Sequence, residues 1–270
     1  MADYLTEAAK GKLQDLFLDE NIKMHIRTND NLRNRLMKNL KSNSILTRKW
    51  LDVAREPEEV IKLMDRDKIT QEHSQIVAEW TEGMAEYLNI DRKRAWEAGI
   101  YHDIGKLWIP DRVKYWEFAA PEPNPYALEE IRFGHALLGE VMAKLAELPE
   151  HLLYAIGYHH DRKHPDGYPH LAFTLPDEVK ALQVANEVYP KVVQVADAAQ
   201  ALQDKNRKEL SWFKRNGVEI KEKEDIYRFL VKGVYTGWFE KPYVDAFLKL
   251  SGLDEDRIHD LYQKMEKKAL

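Results

Sequence analysis

The 270-residue chain predicts an all-α fold. Apolar residues return every third or fourth position over long stretches, which is the helical period. No run of alternating β-branched residues marks a strand. Six of the eleven prolines fall in two breaks, Glu117–Ala127 (EFAAPEPNPYA) and His164–Pro176 (HPDGYPHLAFTLP), which read as loops between helices.

Residues 1–65 are charged and helix-prone and end near the REPEEV stretch. They hold no catalytic grouping. They read as a helical N-terminal segment that either packs on the main domain or makes a homodimer contact. Residues 66–270 read as the main helical domain. There is no fixed-period repeat and no low-complexity tract.

In the helix after Lys68, Ile69, Ile76, Val77, Trp80, Met84 and Leu88 form an apolar stripe, and His73 falls on it. The next helix, capped by Asp91, runs through Trp96 and Ile100 into His102 and Asp103, with Gly105 placed to end it. After the proline-rich break, Leu128, Ile131, Leu138, Met142 and Leu145 define an inward face, and His135 fills its missing step. Pro149 opens a further helix, with Leu153 and Ile156 on one face and His160 four residues on. In VADAAQAL, Asp197 lies four residues after Val193 and four before Ala201.

The adjacent His102 and Asp103 either cap a helix end or hold a metal. One inward histidine is usually a satisfied core residue. Five inward polar groups of ligand type, each on its own predicted helix, point the other way, because burying an unpaired charge costs on the order of several kcal/mol. They relieve one another if they converge on a cation. Neighbouring helical residues diverge by about 100°, so the doublets His102-Asp103 and His159-His160 serve a site only at helix ends, or if a carboxylate bridges two ions. Seven candidates (His73, His102, Asp103, His135, His159, His160 and Asp197) exceed the need of one catalytic ion and suit two divalent ions. Such a pair activates a water and clamps a phosphate in line with it. Lys106, one turn after Asp103, is placed to hold a phosphate oxygen. This chemistry is phosphate-ester hydrolysis.

Composition narrows the choices further. With no cysteine there is neither a disulfide framework nor a thiolate metal site. Histidine and carboxylate ligands suit Fe, Mn, Zn, Mg and similar ions. A net charge of −5 argues against bulk nucleic-acid binding. No basic leader precedes an apolar run, and no run approaches the roughly 20 residues that span a bilayer. The expectation is a cytoplasmic protein without a membrane partner.

The ordered pieces EHSQIVA, HDIGKLWIP, HALLG, HHDRKHPDGYP and VADAAQAL resemble the HD-GYP family, a branch of the HD superfamily of metal-dependent phosphohydrolases. The resemblance covers roughly Thr70 to Leu202. It implies an HD-domain-type helical bundle around two or three metal ions, often iron or manganese, with Zn, Mg, Ni or Co also compatible. It implies hydrolysis of cyclic di-GMP or a related cyclic dinucleotide to linear products. His73, His102, Asp103, His135, His159, His160 and Asp197 would be the ligands, with Asp103 bridging. Asp103 and Lys106 would carry catalysis, Lys106 touching the scissile phosphate. Asp166, Gly167, Tyr168 and Pro169 would shape the substrate mouth.

This chain departs from that family at three places. Asp161 replaces a common glutamate. Gln200–Arg207 blurs an arginine-bearing motif, leaving Arg207 as the substitute substrate contact. Ile69 stands where three-metal members tend to carry a glutamate, so two ions are expected. These departures keep open an HD phosphohydrolase of nucleoside mono- or triphosphates. A non-catalytic nucleotide-binding module is the third reading, opposed by the retention of all seven candidates.

Overall fold

The structure is a computed structural model, and it describes residues 30–114, 131, 134–160, 186–203 and 222–269. Among these residues the fold is all-α with no strand. They divide into two compact units. The first takes the residues up to Ser74 and Ile100–Tyr158; the second takes Gln75–Gly99 and His159–Leu270.

The first unit opens with α1 (Asp30–Ser42), α2 (Ser44–Val53) and α3 (Pro57–Leu63). Pro57 starts α3 without losing a helical bond, and Glu58 and Glu59 sit at the positive end of its dipole. Helix α4 (Lys68–Leu88) is capped by Asp67, whose Oδ1 accepts the Thr70 N–H at 3.2 Å. Its other carboxylate oxygen takes the Thr70 hydroxyl and the buried ammonium of Lys114. Asn89, at φ 53°, ends α4 in the left-handed conformation. Asp91 caps α5 (Arg92–Tyr101), its Oδ1 accepting the Arg94 N–H at 3.0 Å.

Beyond α5 come a 3₁₀ turn (Ile104–Trp108), the short α6 (Asp111–Lys114), α7 (His135–Leu145) and α8 (Glu150–Tyr158). The core of this unit includes Leu36, Leu40, Trp50, Met64, Tyr101, Ile104, Trp108, Leu138, Met142 and Ile156. Trp50 packs edge-on to both Tyr101 and Trp108, with ring centroids 6.1 and 6.0 Å apart. The N-terminal helices are therefore part of the packing around Tyr101, Trp108 and Met142.

The second unit contains the rest of α4 and most of α5, followed by α9 (Val188–Gln203), α10 (Lys223–Tyr235), α11 (Lys241–Leu250) and α12 (Glu255–Ala269). Trp80 meets Phe247 edge-to-face at 5.4 Å, and Val192, Leu230, Val231, Val244 and Leu248 are buried.

Three local expectations are revised. On α4 the buried face is Thr70, His73, Ser74, Val77, Ala78, Thr81, Met84 and Ala85. Ile69 is half exposed and lies off that face, one 100° step from Thr70. On α8 the buried residues are His151, Leu152, Ala155 and Ile156, so the inward face is turned by one residue from the Leu153–Ile156 assignment. Gly105 does not end α5, which stops at Tyr101, and it is not left-handed. Its role is closeness: an added Cβ would stand 1.9 Å from the His135 carbonyl oxygen and 2.5 Å from Gly139 N.

Candidate metal centre

Helix α5 stops one residue short of the His-Asp pair. His102 and Asp103 occupy a turn, and Asp103 (φ −99°, ψ 9°) leads into the 3₁₀ segment, with Lys106 N bonding back to its carbonyl at 2.9 Å. In this turn the 100° divergence of helical neighbours no longer applies. Both side chains serve one place. His102 and Asp103 are both fully buried.

Asp103 is the hub of the first unit's polar cluster. Its Oδ2 lies 3.2 Å from His73 Nε2 and 3.3 Å from His102 Nε2, and it accepts from the Lys106 ammonium. Its Oδ1 lies 3.4 Å from His135 Nε2. His73 Nε2 and His102 Nε2 are 3.2 Å apart. These four side chains come from α4, the turn after α5, and the first residue of α7. The close approach at Gly105 is what lets the start of α7 reach the turn.

Electrostatics keeps this set in a ligand-ready state. Burial alone would raise the Asp103 carboxyl, but the Lys106 ammonium and His102 outweigh it and hold the group well below the usual carboxylate range. Burial pushes His135 down to about 4, with Asp103 opposing and Lys106 assisting the shift. His135 is thus neutral near pH 7. Its Nδ1–H donates to the Ile131 carbonyl, so Nε2 presents a lone pair toward the carboxylate. Two electron-pair donors facing each other repel unless a cation lies between them.

The donor set fits a divalent metal. Ligands about 2.1 Å from one ion stand roughly 3.0–3.4 Å apart at octahedral to tetrahedral angles. The separations of 3.2, 3.2 and 3.3 Å among His73 Nε2, His102 Nε2 and Asp103 Oδ2 match that interval, and His135 Nε2 faces the other carboxylate oxygen at 3.4 Å. Three imidazoles and a carboxylate suit Fe, Mn, Zn and their neighbours.

The second unit carries the other candidates. His159 is buried and His160 partly exposed, their rings tilted by 46° with centroids 4.0 Å apart just past α8. Asp197 lies on α9 and is half buried. Asp161, Asp166, Gly167, Tyr168, Pro169 and Arg207 lie outside the described residues, as does the Glu117–Ala127 break.

Sequence reasoning passed over His151, which is buried on α8, and the buried Asp67–Lys114 pair that secures the start of the His73 helix. None of these three residues lies on an apolar stripe read from the sequence. Only the fold brings residues 67 and 114 together.

Residues 70–202 match the family model of the HD domain. All seven candidate ligands fall within that matched segment. Neither a curated protein nor a solved structure matches the chain. Among the described residues no helix is long and apolar enough to cross a membrane.

Proposed function

We propose that this chain is a two-metal phosphodiesterase that opens a cyclic dinucleotide, cyclic di-GMP or a relative, to a linear product. The observation that carries the hydrolase part is the buried Asp103 carboxylate contacted by three imidazole Nε2 atoms and the Lys106 ammonium. The substrate class rests on the ordered HDIGK and HPDGYP motifs of the sequence.

His73, His102, Asp103 and His135 would hold metal. On sequence grounds His159, His160 and Asp197 are proposed as the remaining ligands. Divalent cations bound there, iron or manganese in the first instance, supply Lewis acidity toward a phosphate ester and its attacking water. The chain's own contribution is positional and electrostatic. Asp103 stays ionised. His135 keeps Nε2 unprotonated through its Nδ1–H bond to Ile131. Lys106, the most exposed member at 15% of its side-chain surface, is proposed to turn its ammonium to a substrate phosphate oxygen. Asp166–Pro169 and Arg207 are proposed substrate contacts. The reading places a small nucleotide substrate in a cytoplasmic enzyme, without bulk nucleic acid or membrane as partner.

The replaced residues between Gln200 and Arg207 favour a second reading, an HD phosphohydrolase of nucleoside mono- or triphosphates. A panel of cyclic dinucleotides, linear dinucleotides, and nucleoside mono- and triphosphates, incubated with the Mn- or Fe-loaded chain, separates the two. Linear product from a cyclic dinucleotide is the expected result. Cleavage of phosphomonoesters or triphosphates alone overturns the first reading. Tight cyclic dinucleotide binding without product, on a fully loaded chain, makes it a binding module.

A further inference from the structure

The two ends of the His-Asp turn are tied to one helix. Before the turn, the Tyr101 hydroxyl donates to the Ala54 carbonyl at 2.8 Å. After it, the Trp108 indole N–H donates to Thr47 Oγ1 at 3.0 Å. Between these anchors the Trp50 indole N–H donates to the Met142 carbonyl at 3.0 Å, on the helix that His135 begins. Thr47, Trp50 and Ala54 are spaced i, i+3 and i+7, so they lie along one face of α2 and its C-terminal cap. All three are fully buried. The bonds span 61, 92 and 47 residues of sequence.

The chemistry of the anchors is directional. The Thr47 hydroxyl donates to the Asn43 carbonyl at 3.2 Å, which turns a lone pair toward Trp108. The Ala54 carbonyl is one of the helix-end acceptors that α2 cannot satisfy itself, and Tyr101 supplies the missing donor. A buried group robbed of its partner moves to find another, and here the Tyr101 and Trp108 donors flank His102, Asp103 and Lys106 while the Met142 acceptor sits on the helix that His135 begins.

We infer that Thr47, Trp50 and Ala54 are positioning residues for the metal centre, a two-turn template that sets the spacing of the His-Asp turn from the start of α7. The N-terminal helices are then a working part of the HD site. The inference rests on the reading of His102, Asp103 and His135 as metal ligands.

The test is Mn²⁺ titration by calorimetry on the full chain, at a temperature where circular dichroism shows every variant folded. Thr47→Val keeps the side-chain shape and removes the acceptor. Thr47→Ser keeps the acceptor. Trp50→Phe removes the indole N–H and serves if Thr47→Val does not fold. Val244→Ala, in the second unit's core, is the control for lost stability alone. Thr47→Val, or Trp50→Phe in its place, is expected to weaken Mn²⁺ binding about tenfold. Thr47→Ser should bind like the wild type, as should Val244→Ala despite a lowered melting temperature. Wild-type affinity in both Thr47→Val and Trp50→Phe overturns the inference. So does an equal loss in Val244→Ala, which would make the effect one of global stability. A wild-type chain that binds no Mn²⁺ overturns the metal reading itself, and this inference with it.

Discussion

The Nε2 atoms of His73 and His102 stand 3.2 Å apart, both rings buried and both within 3.3 Å of Asp103 Oδ2. Two imidazoles so placed either share one proton or share a cation. The cation is the better solution here, because the neighbouring carboxylate and the unprotonated His135 Nε2 add two more electron-pair donors at similar range.

Metal removal should therefore destabilise the protein. A ligand that binds only the folded state, at a hundred times its dissociation constant, adds about 2.7 kcal/mol. Stripping the chain with a chelator and melting it with and without Mn²⁺ should show a lower midpoint for the stripped form, restored on reloading. Superimposable curves would remove the basis for a metal centre.

Asp103→Ala should abolish turnover and lower metal content in elemental analysis while the far-ultraviolet spectrum stays helical. Lys106→Ala should retain metal and lose rate. It should also raise the Asp103 carboxyl, since the Lys106 charge helps hold it down. Full activity in Asp103→Ala would disprove its bridging role. Loss of metal in Lys106→Ala would show that the ammonium organises the ligands and does not serve the substrate.

The metal-free protein should lose stability in acid through His135. In the unfolded chain this imidazole binds a proton near its ordinary 6.5, whereas in the folded chain it does so only at about 4. Between those values the unfolded state holds more protons, so stability falls as pH falls. The full contribution is present above 6.5, and about 3 kcal/mol of it is gone by pH 4. Urea unfolding of chelator-treated wild type and His135→Asn across that interval should give a shallower pH dependence for the variant. Parallel slopes would contradict the buried neutral imidazole.

Gly105→Ala should be costly although alanine is the better helix former. Its Cβ would meet backbone atoms of α7, which cannot rotate away. Overpacking of this kind typically costs about 1–3 kcal/mol, and the displaced α7 start should weaken Mn²⁺ binding through His135. Wild-type stability and affinity in this variant would show that the two backbones have room to separate.

Much of this protein was legible from periodicity. The all-α class followed from apolar spacing, and the stripes on α4 and α7 already carried His73 and His135 on buried faces. The adjacency of His102 and Asp103 left a helix end or a carboxylate bridging two ions as the alternatives, and the structure puts the pair in the turn just past α5. Where the pattern was thin, it misled by one step. On α8 four apolar residues and a histidine allow two neighbouring faces, and the buried one includes His151 and Leu152.

By itself the sequence determined the helices and the kinds of side chain that each presents inward, since period and residue chemistry are local properties. Tertiary structure alone decided that Trp50, Thr47 and Ala54 bind the ends of the His-Asp turn and the helix of His135, and that Gly105 is small because α7 passes against it. A helical stripe encodes which way a residue faces. Its partner, 47 to 92 residues away along the chain, is chosen only when the elements pack and each buried donor must find an acceptor.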